Sequence, residues 1–273
     1  MHITVKYLCI TAFCLLIIGR VAAQNTDTLV YRSQSVRSVG VGFPAINYSM
    51  LSPLNHSGYS LSFHSTRFRE KPKHLTQFQM HSELGLLYNN ANDSYITMLG
   101  FNGGWSRHWY ITDRTRTLRL LLGSGVDAGV DLYLKEDNTN NPLAYFFNFS
   151  VSPSILVKYR LNTGKTKLEL GQQIDVPIGS LISSSGYSTI IPHGFIEKDA
   201  SFFEAMRLVS FGSLKKCVTI TSLDITPSLE KRQNWPVFRI SYMFSGMKYS
   251  NGDFTIKSAK HVILFGAIFH LFR

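Results

Sequence analysis

The sequence predicts an all-β protein: an antiparallel up-and-down transmembrane β-barrel of about ten strands, with eight or twelve as the alternatives. Three observations predict it. Hydrophobic residues alternate with period two over segments longer than an ordinary strand of about five or six residues. The opposite face is rich in Gly, Ser, Asn and single charges of both signs, which suits a crowded polar lumen. Aromatic residues recur on the apolar face ten residues apart, Tyr95 with Trp105 and Phe149 with Tyr159. Ten residues at roughly 3.3 Å, tilted about 40°, rise roughly 25 Å, the height of a lipid-facing band.

Composition agrees. Of 273 residues, 44% are hydrophobic and 16% charged, against a usual charged share of about 25%. That excludes a disordered chain and a coiled coil. Residues 1–23 read as a secretory signal peptide: Lys6 is the positive charge, Tyr7–Ile18 the apolar stretch, and Val21 and Ala23 the small residues before cleavage at Gln24. Residues 24–36 then form an N-terminal periplasmic segment and 37–273 the barrel. Cys9 and Cys14 leave with the signal, so Cys217 remains alone and no internal disulfide is possible. Loss of Lys6 and Arg20 takes the formal charge from +11 to +9. No block of five basic residues and no nucleic-acid motif accompanies that charge, so nucleic acid is not an expected partner.

The elements follow from the alternation. Strands are expected at Arg37–Asn47, Ser57–Phe68, Leu75–Tyr88, Ser94–Ile111, Leu118–Leu134, Leu143–Leu161, Leu168–Ile178, Lys216–Thr226, Pro236–Lys248 and Ser258–Phe272. In the fifth, Leu118, Leu120, Leu122, Val126, Val130 and Leu132 oppose Arg119, Gly123, Gly125, Asp127, Gly129 and Asp131; a helix would mix the two sets. In the sixth, Phe147, Phe149, Val151, Ile155 and Tyr159 oppose Asn148, Ser150, Ser152, Lys158 and Arg160. Asn162-Thr163-Gly164 is hairpin chemistry and makes the next strand an antiparallel neighbour. With both ends in the periplasm, inner turns fall at Arg69–His74, Thr112–Thr115, Asn162–Gly164 and Pro227–Trp235. Outer loops fall at Ser49–His56, Asn89–Asp93, Lys135–Pro142, Gly179–Lys215 and Tyr249–Lys257. The longest carries a short helix at Ala200–Leu208 in this reading. Pro44 and Pro153 lack a donor, and a bulge is expected at Pro153.

The signal end Ala22-Ala23-Gln24, the segment Leu51-Ser52-Pro53-Leu54 followed by Ser57-Gly58-Tyr59, and a last strand closing on Phe265, Phe269 and Phe272 carry a resemblance. The chain resembles uncharacterised outer-membrane β-barrels of Bacteroidetes, a domain of unknown function. The resemblance implies a barrel in the outer membrane and transfers no activity and no catalytic residue.

The lumen offers one constellation with chemical content. Ser60, Ser62 and His64 share the inward face of the second strand, and His81 and Glu83 that of the third. Ser as nucleophile, His as base and Glu as orienter would make a lipid-active hydrolase. The plainer reading is polar filler in a narrow tube. Asp127, Asp131, Lys158, Arg160, Glu169, Asp175 and Arg239 also point inward; they line a selective channel or, since signs are mixed, pair into a plug. The histidines, His56, His64, His193, His261 and His270 among them, lack tight ligand spacing, so no metal is expected. No phosphate loop is present, and no cofactor is expected. Three functions follow: a structural or interaction barrel presenting loop 179–215, a lipid-active hydrolase, or a small passive channel. The first takes outer-membrane lipid and an extracellular ligand or protein as partners, met by Phe202, Phe203, Arg207 and Lys215.

Overall fold

Ten antiparallel ladders close on themselves. The computed structural model describes residues 32–49, 51–89, 91, 93, 94–113, 115–135, 143–163, 166–184, 206–227, 237–250 and 255–271. Its strands are β1 (Arg32–Tyr48), β2 (Ser52–Glu70), β3 (His74–Asn89), β4 (Ser94–Tyr110), β5 (Leu118–Leu134), β6 (Leu143–Asn162), β7 (Thr166–Asp175), β8 (Gly179–Ser184), β9 (Arg207–Ser210), β10 (Leu214–Pro227), β11 (Val237–Ser250) and β12 (Thr255–Leu271). Neighbours in sequence pair from β1 to β7, then β7 with β10, β10 with β11 and β11 with β12. The seam runs from Ser33 opposite Leu271 to Tyr48 opposite Ile256, joining β1 to β12. The result is a closed ten-stranded barrel with two short extra strands.

Those extra strands extend the wall. β8 continues the line of β7 along β6, and β9 pairs with β8. The interruption falls at 176–178, opposite Pro153, where Ser154 faces Asp175 but Val151 faces Gly179. One residue is therefore extra on the strand facing Pro153. The bulge expected at Pro153 lies on its partner, while β6 itself stays in register with β5 through Ser124 opposite Pro153. A strand that receives no N–H from its neighbour at that point can bulge without losing a bond. At Pro44 the β2 ladder skips two positions, and the register shift itself comes between Ile46 and Tyr48.

Several sequence-drawn boundaries move. β1 begins at Arg32, so residues 32–36 belong to the barrel wall and not to a periplasmic segment. The connection drawn at Ser49–His56 shrinks to 49–51, and the one at Tyr249–Lys257 to 251–254. The loop drawn at Gly179–Lys215 begins and ends as strand, in β8, β9 and the start of β10. The helix drawn at Ala200–Leu208 meets strand from Arg207; residues 200–205, Phe202 and Phe203 included, lie outside the described residues, as does the signal segment. For β1, β2, β11 and β12 the shared cause is that apolar alternation marks only the lipid-facing stretch of a strand. The ladder continues beyond it, where the outward side chains turn polar.

Short connections are built from local side-chain bonds. Between β3 and β4, Ala91 N–H donates to Asn89 Oδ1 at 2.8 Å, and Asp93 adopts a φ of 50°, which its short polar side chain tolerates. Between β4 and β5, Thr115 N–H donates to Asp113 Oδ1 at 2.9 Å. Gly40 serves the seam: a Cβ there would lie 1.9 Å from the carbonyl oxygen of Ile263, so any larger residue would push β12 away.

The faces are inverted relative to a water-soluble barrel. Leu122, Leu170 and Ile174 are exposed, as are Leu61 at 70% and Phe265 at 58%, and Val126, Phe147 and Val151 share their outward parity. A belt of this extent is lipid-facing, since soluble monomers rarely expose large contiguous apolar patches. Ser152, Asp127, Lys158, Glu169 and Asp175 point inward. The inward face is not polar throughout, however. Towards the end opposite the termini, Tyr48, Leu87, Ile96, Met98, Tyr133, Phe146 and Ile256 pack inside the wall. Towards the terminus end, Val36, Phe68, Leu75, Leu121, Leu156 and Ile268 do the same. A narrow tube must be filled by its own side chains, and apolar ones fill it where no charge needs a partner.

Candidate functional site: the filled lumen

A chain of ion pairs reaches across the barrel, part of it between the two apolar clusters and part at the terminus end. Lys260 on β12 places Nζ 2.9 Å from Asp131 Oδ1 on β5 and 3.4 Å from Glu83 Oε2 on β3. Lys216 on β10 donates to Asp127 Oδ2 on β5 at 2.8 Å, and Asn148 donates to the same oxygen at 3.2 Å. Nearer the termini, Glu169 on β7 takes Arg119 at 2.6 Å, Arg160 at 3.0 Å and Lys158 at 3.2 Å. Arg119 lies also 3.7 Å from Glu70. Arg239 grips Asp224 with two donors, at 2.5 and 2.6 Å, and its guanidinium lies 5.3 Å from the Phe68 ring.

Six of the seven inward charges named from sequence are therefore ion-paired, and Asp175 accepts from Gln173 instead. Arg160 and Lys158 with Glu169, and Arg239 with Asp224, pair between neighbouring strands, whereas Lys216, Lys260 and Arg119 reach strands that are not neighbours. Lys216, Lys260, Arg119, Asp224 and Glu70 were missing from that set. Parity would have found them: Lys260 alternates with the outward Phe265 and Phe269, and Lys216 shares the inward parity of Ile220 and Ser222. What sequence could not give was which strand lay across the tube. A central void of about 120 Å³ is lined by His64, His81, Asp127, Lys216 and Lys260 among others. That is room for a few waters among polar groups and not for a drug-sized ligand.

The Ser–His–Glu constellation comes together in space and does not form a nucleophile pair. Ser62 faces Glu83 and His64 faces His81 across the β2–β3 ladder. Glu83 is instead bonded by Ser60, whose Oγ donates to Oε1 at 2.5 Å. Glu83 Oε2 is 4.0 Å from His81 Nε2 and is shared with Lys260. His64 Nε2 pairs with Thr66 Oγ1 at 2.7 Å, and Ser62 Oγ has no hydrogen bond among the described residues. Neither His64 nor His81 is bonded to Ser60 or Ser62, so within this constellation no base is in place to take a serine proton. The buried Ser–His bonds lie elsewhere, His108 Nε2 with Ser154 Oγ at 2.8 Å and His56 Nε2 with Ser94 Oγ at 3.0 Å. Metal-type clusters of His, Cys, Asp and Glu are likewise absent among the described residues.

Closed antiparallel strands, an apolar exterior and an interior filled by ion pairs and apolar side chains define an outer-membrane β-barrel. The chain belongs to the family described as protein of unknown function (DUF3316), whose profile matches residues 8–273. No curated protein matches it. Among solved structures it is similar to the outer membrane protease OmpT of Escherichia coli, at 7% identity and a TM-score of 0.53, over 92% of this chain and 99% of that one. It is also similar to the translocator domain of the autotransporter NalP of Neisseria meningitidis, at 7% identity and a TM-score of 0.46, over 98% and 97%. At such identities the likeness is one of fold.

Proposed function

We propose that the protein is exported by its signal peptide to the outer membrane and acts there as an interaction barrel, a closed scaffold presenting its outer connections to an extracellular ligand or partner protein. One observation carries the reading: the lumen is stoppered by apolar side chains towards both ends, and its charges are largely neutralised by ion pairs. An ion entering would have to shed its water against Tyr48, Met98 and Phe146, or against Phe68 and Leu121. Hydrophobic constrictions of this kind block conduction by dewetting. In the Ser–His–Glu constellation Glu83 is held by Ser60 and Lys260, and no histidine is bonded to Ser62. What remains for recognition is the outer rim, where the chain between the end of β8 at Ser184 and the start of β9 at Arg207 makes the longest outer connection. That connection is longer than the two to five or so residues a hairpin needs, and long connections are disproportionately functional.

The test is complementation of a deletion strain. A chain whose residues 185–205 are replaced by a short Gly-containing turn should assemble and fail to complement. Ser62→Ala, His64→Ala and His81→Ala chains should complement fully. The reverse outcome, full function after trimming and loss with an assembled lumen variant, would assign the activity to the lumen serine and histidine and make the protein a hydrolase.

A further inference from the structure

Three lysines lie side by side on the outer rim. Lys215 on β10 is the direct partner of Lys248 on β11, and Lys248 of Lys257 on β12. All three are exposed, and none has an ion pair among the described residues. Directly opposed residues on adjacent antiparallel strands bring their Cβ atoms to about 5 Å, a spacing at which like charges destabilise a sheet. A row of three such neighbours is an unfavourable arrangement unless an anion lies against it.

The position of the row identifies the anion. Asn47 continues it on β1. Four residues down β12 stands His261, whose Nδ1 is 2.6 Å from the Tyr242 hydroxyl and whose ring centroid is 5.0 Å from that of Phe244. Phe43 is the cross-strand partner of His261 and packs edge-on against Tyr59. This is an amphipathic aromatic belt, the signature of a membrane–water interface. Below it the same faces carry Ile263, Phe265 and Phe269, and Ile240 and Phe238, all exposed. Four residues at about 3.3 Å and a tilt of about 40° set the lysines roughly 10 Å above the belt. That is headgroup depth, at the barrel end away from the termini. From the first lysine to the third is two strand spacings, or about 10 Å. One phosphate can engage an adjacent pair; a headgroup with two phosphates can engage all three.

We infer that Lys215, Lys248 and Lys257 form a binding site for a bis-phosphorylated glycolipid of the outer leaflet, of the lipid A class, with its acyl chains lying along the apolar wall beneath. The lysines supply charge-assisted hydrogen bonds to the phosphates, and the aromatic belt supports the sugar–acyl junction. This rests on the outer-membrane reading above, but its test does not depend on where the protein resides in cells.

The experiment measures binding of purified bis-phosphorylated lipid A to the full mature chain in detergent micelles, with monophosphorylated lipid A and phosphatidylglycerol as competing probes. The wild type should prefer bis-phosphorylated lipid A at least tenfold over either. The triple variant Lys215→Gln, Lys248→Gln, Lys257→Gln should lose that preference while still migrating faster unheated than boiled on a gel. The triple Lys→Arg variant should keep it. Arg69→Gln, an outward cation at the opposite rim, should bind as wild type does. Equal binding of phosphatidylglycerol, an unchanged triple Gln variant, or an equal loss with Arg69→Gln would overturn the inference. If the triple Gln variant does not fold, the Arg variant and the lipid preference of the wild type decide. Failure of the lipid preference with normal membrane fractionation would leave the barrel reading intact and remove only this site.

Discussion

Glu169→Gln removes the carboxylate on which Arg119, Lys158 and Arg160 converge, at 2.6, 3.2 and 3.0 Å. Arg119 is the member that matters most, because its side chain is only 1% exposed. Its remaining carboxylate, Glu70, is 3.7 Å away and also accepts the Tyr110 hydroxyl at 2.5 Å. At roughly 3 Å and an effective dielectric constant of about 20, one such pair is worth about 5 kcal/mol before desolvation. Removing one partner of a buried pair costs about 3–5 kcal/mol, since the other charge stays buried. The amide keeps an acceptor for Arg119, and Glu70 takes up part of the charge, so the low end, about 3 kcal/mol, is expected. The assay is urea unfolding of the micelle-folded protein followed by tryptophan fluorescence, with Glu169→Asp as the partial control. A loss below about 1 kcal/mol, the range of exposed pairs, would refute the claim that these charges hold a filled lumen together.

Four further outcomes are expected. Lys in place of outward Leu122 or Leu170 should destabilise the barrel by about 2–4 kcal/mol near the bilayer midplane, read by the same unfolding assay; no loss at both would place those faces away from lipid. Gly40→Val should abolish the compact unheated band on gels, because its side chain would collide with the Ile263 carbonyl and open the β1–β12 seam; a normal band would show that β12 can shift. Lys260→Met should destabilise strongly, leaving Asp131 and Glu83 without their shared cation, and Lys260→Met with Asp131→Asn should recover part of the loss. After fractionation, the mature chain should remain with outer membranes; recovery in the soluble periplasmic fraction would contradict the inverted faces.

The barrel was largely legible in the sequence because lipid imposes its own period. Leu122, Leu170 and Ile174 alternate strictly with inward residues, so strand existence and facing followed from parity. Strand ends were not legible. β2 begins at Ser52 and β12 at Thr255, outside the lipid band, where polar outward residues read as loop. The apolar stoppers were missed for a related reason. Leu87, Ile96 and Phe146 lie on the inward face, and the rule that a membrane barrel is polar inside ignores how little of a ten-stranded lumen is left for water. Ser62, His64, His81 and Glu83 were correctly brought together by parity. Their bonding was beyond sequence, because Glu83 is claimed by Ser60 on the next strand and by Lys260 from a residue 177 positions away in the chain.

Conductance across a planar bilayer tests the central claim most directly. The purified mature protein, inserted and shown by gel mobility to be folded, should give no discrete current steps at moderate voltage in 1 M salt, on the order of the closed-lumen behaviour that dewetted constrictions impose. Paired Tyr48→Ala and Phe68→Ala substitutions, which thin both stoppers, should raise leak without unfolding the wall. Steady ohmic steps from the wild-type chain would contradict a filled lumen and make the protein a channel.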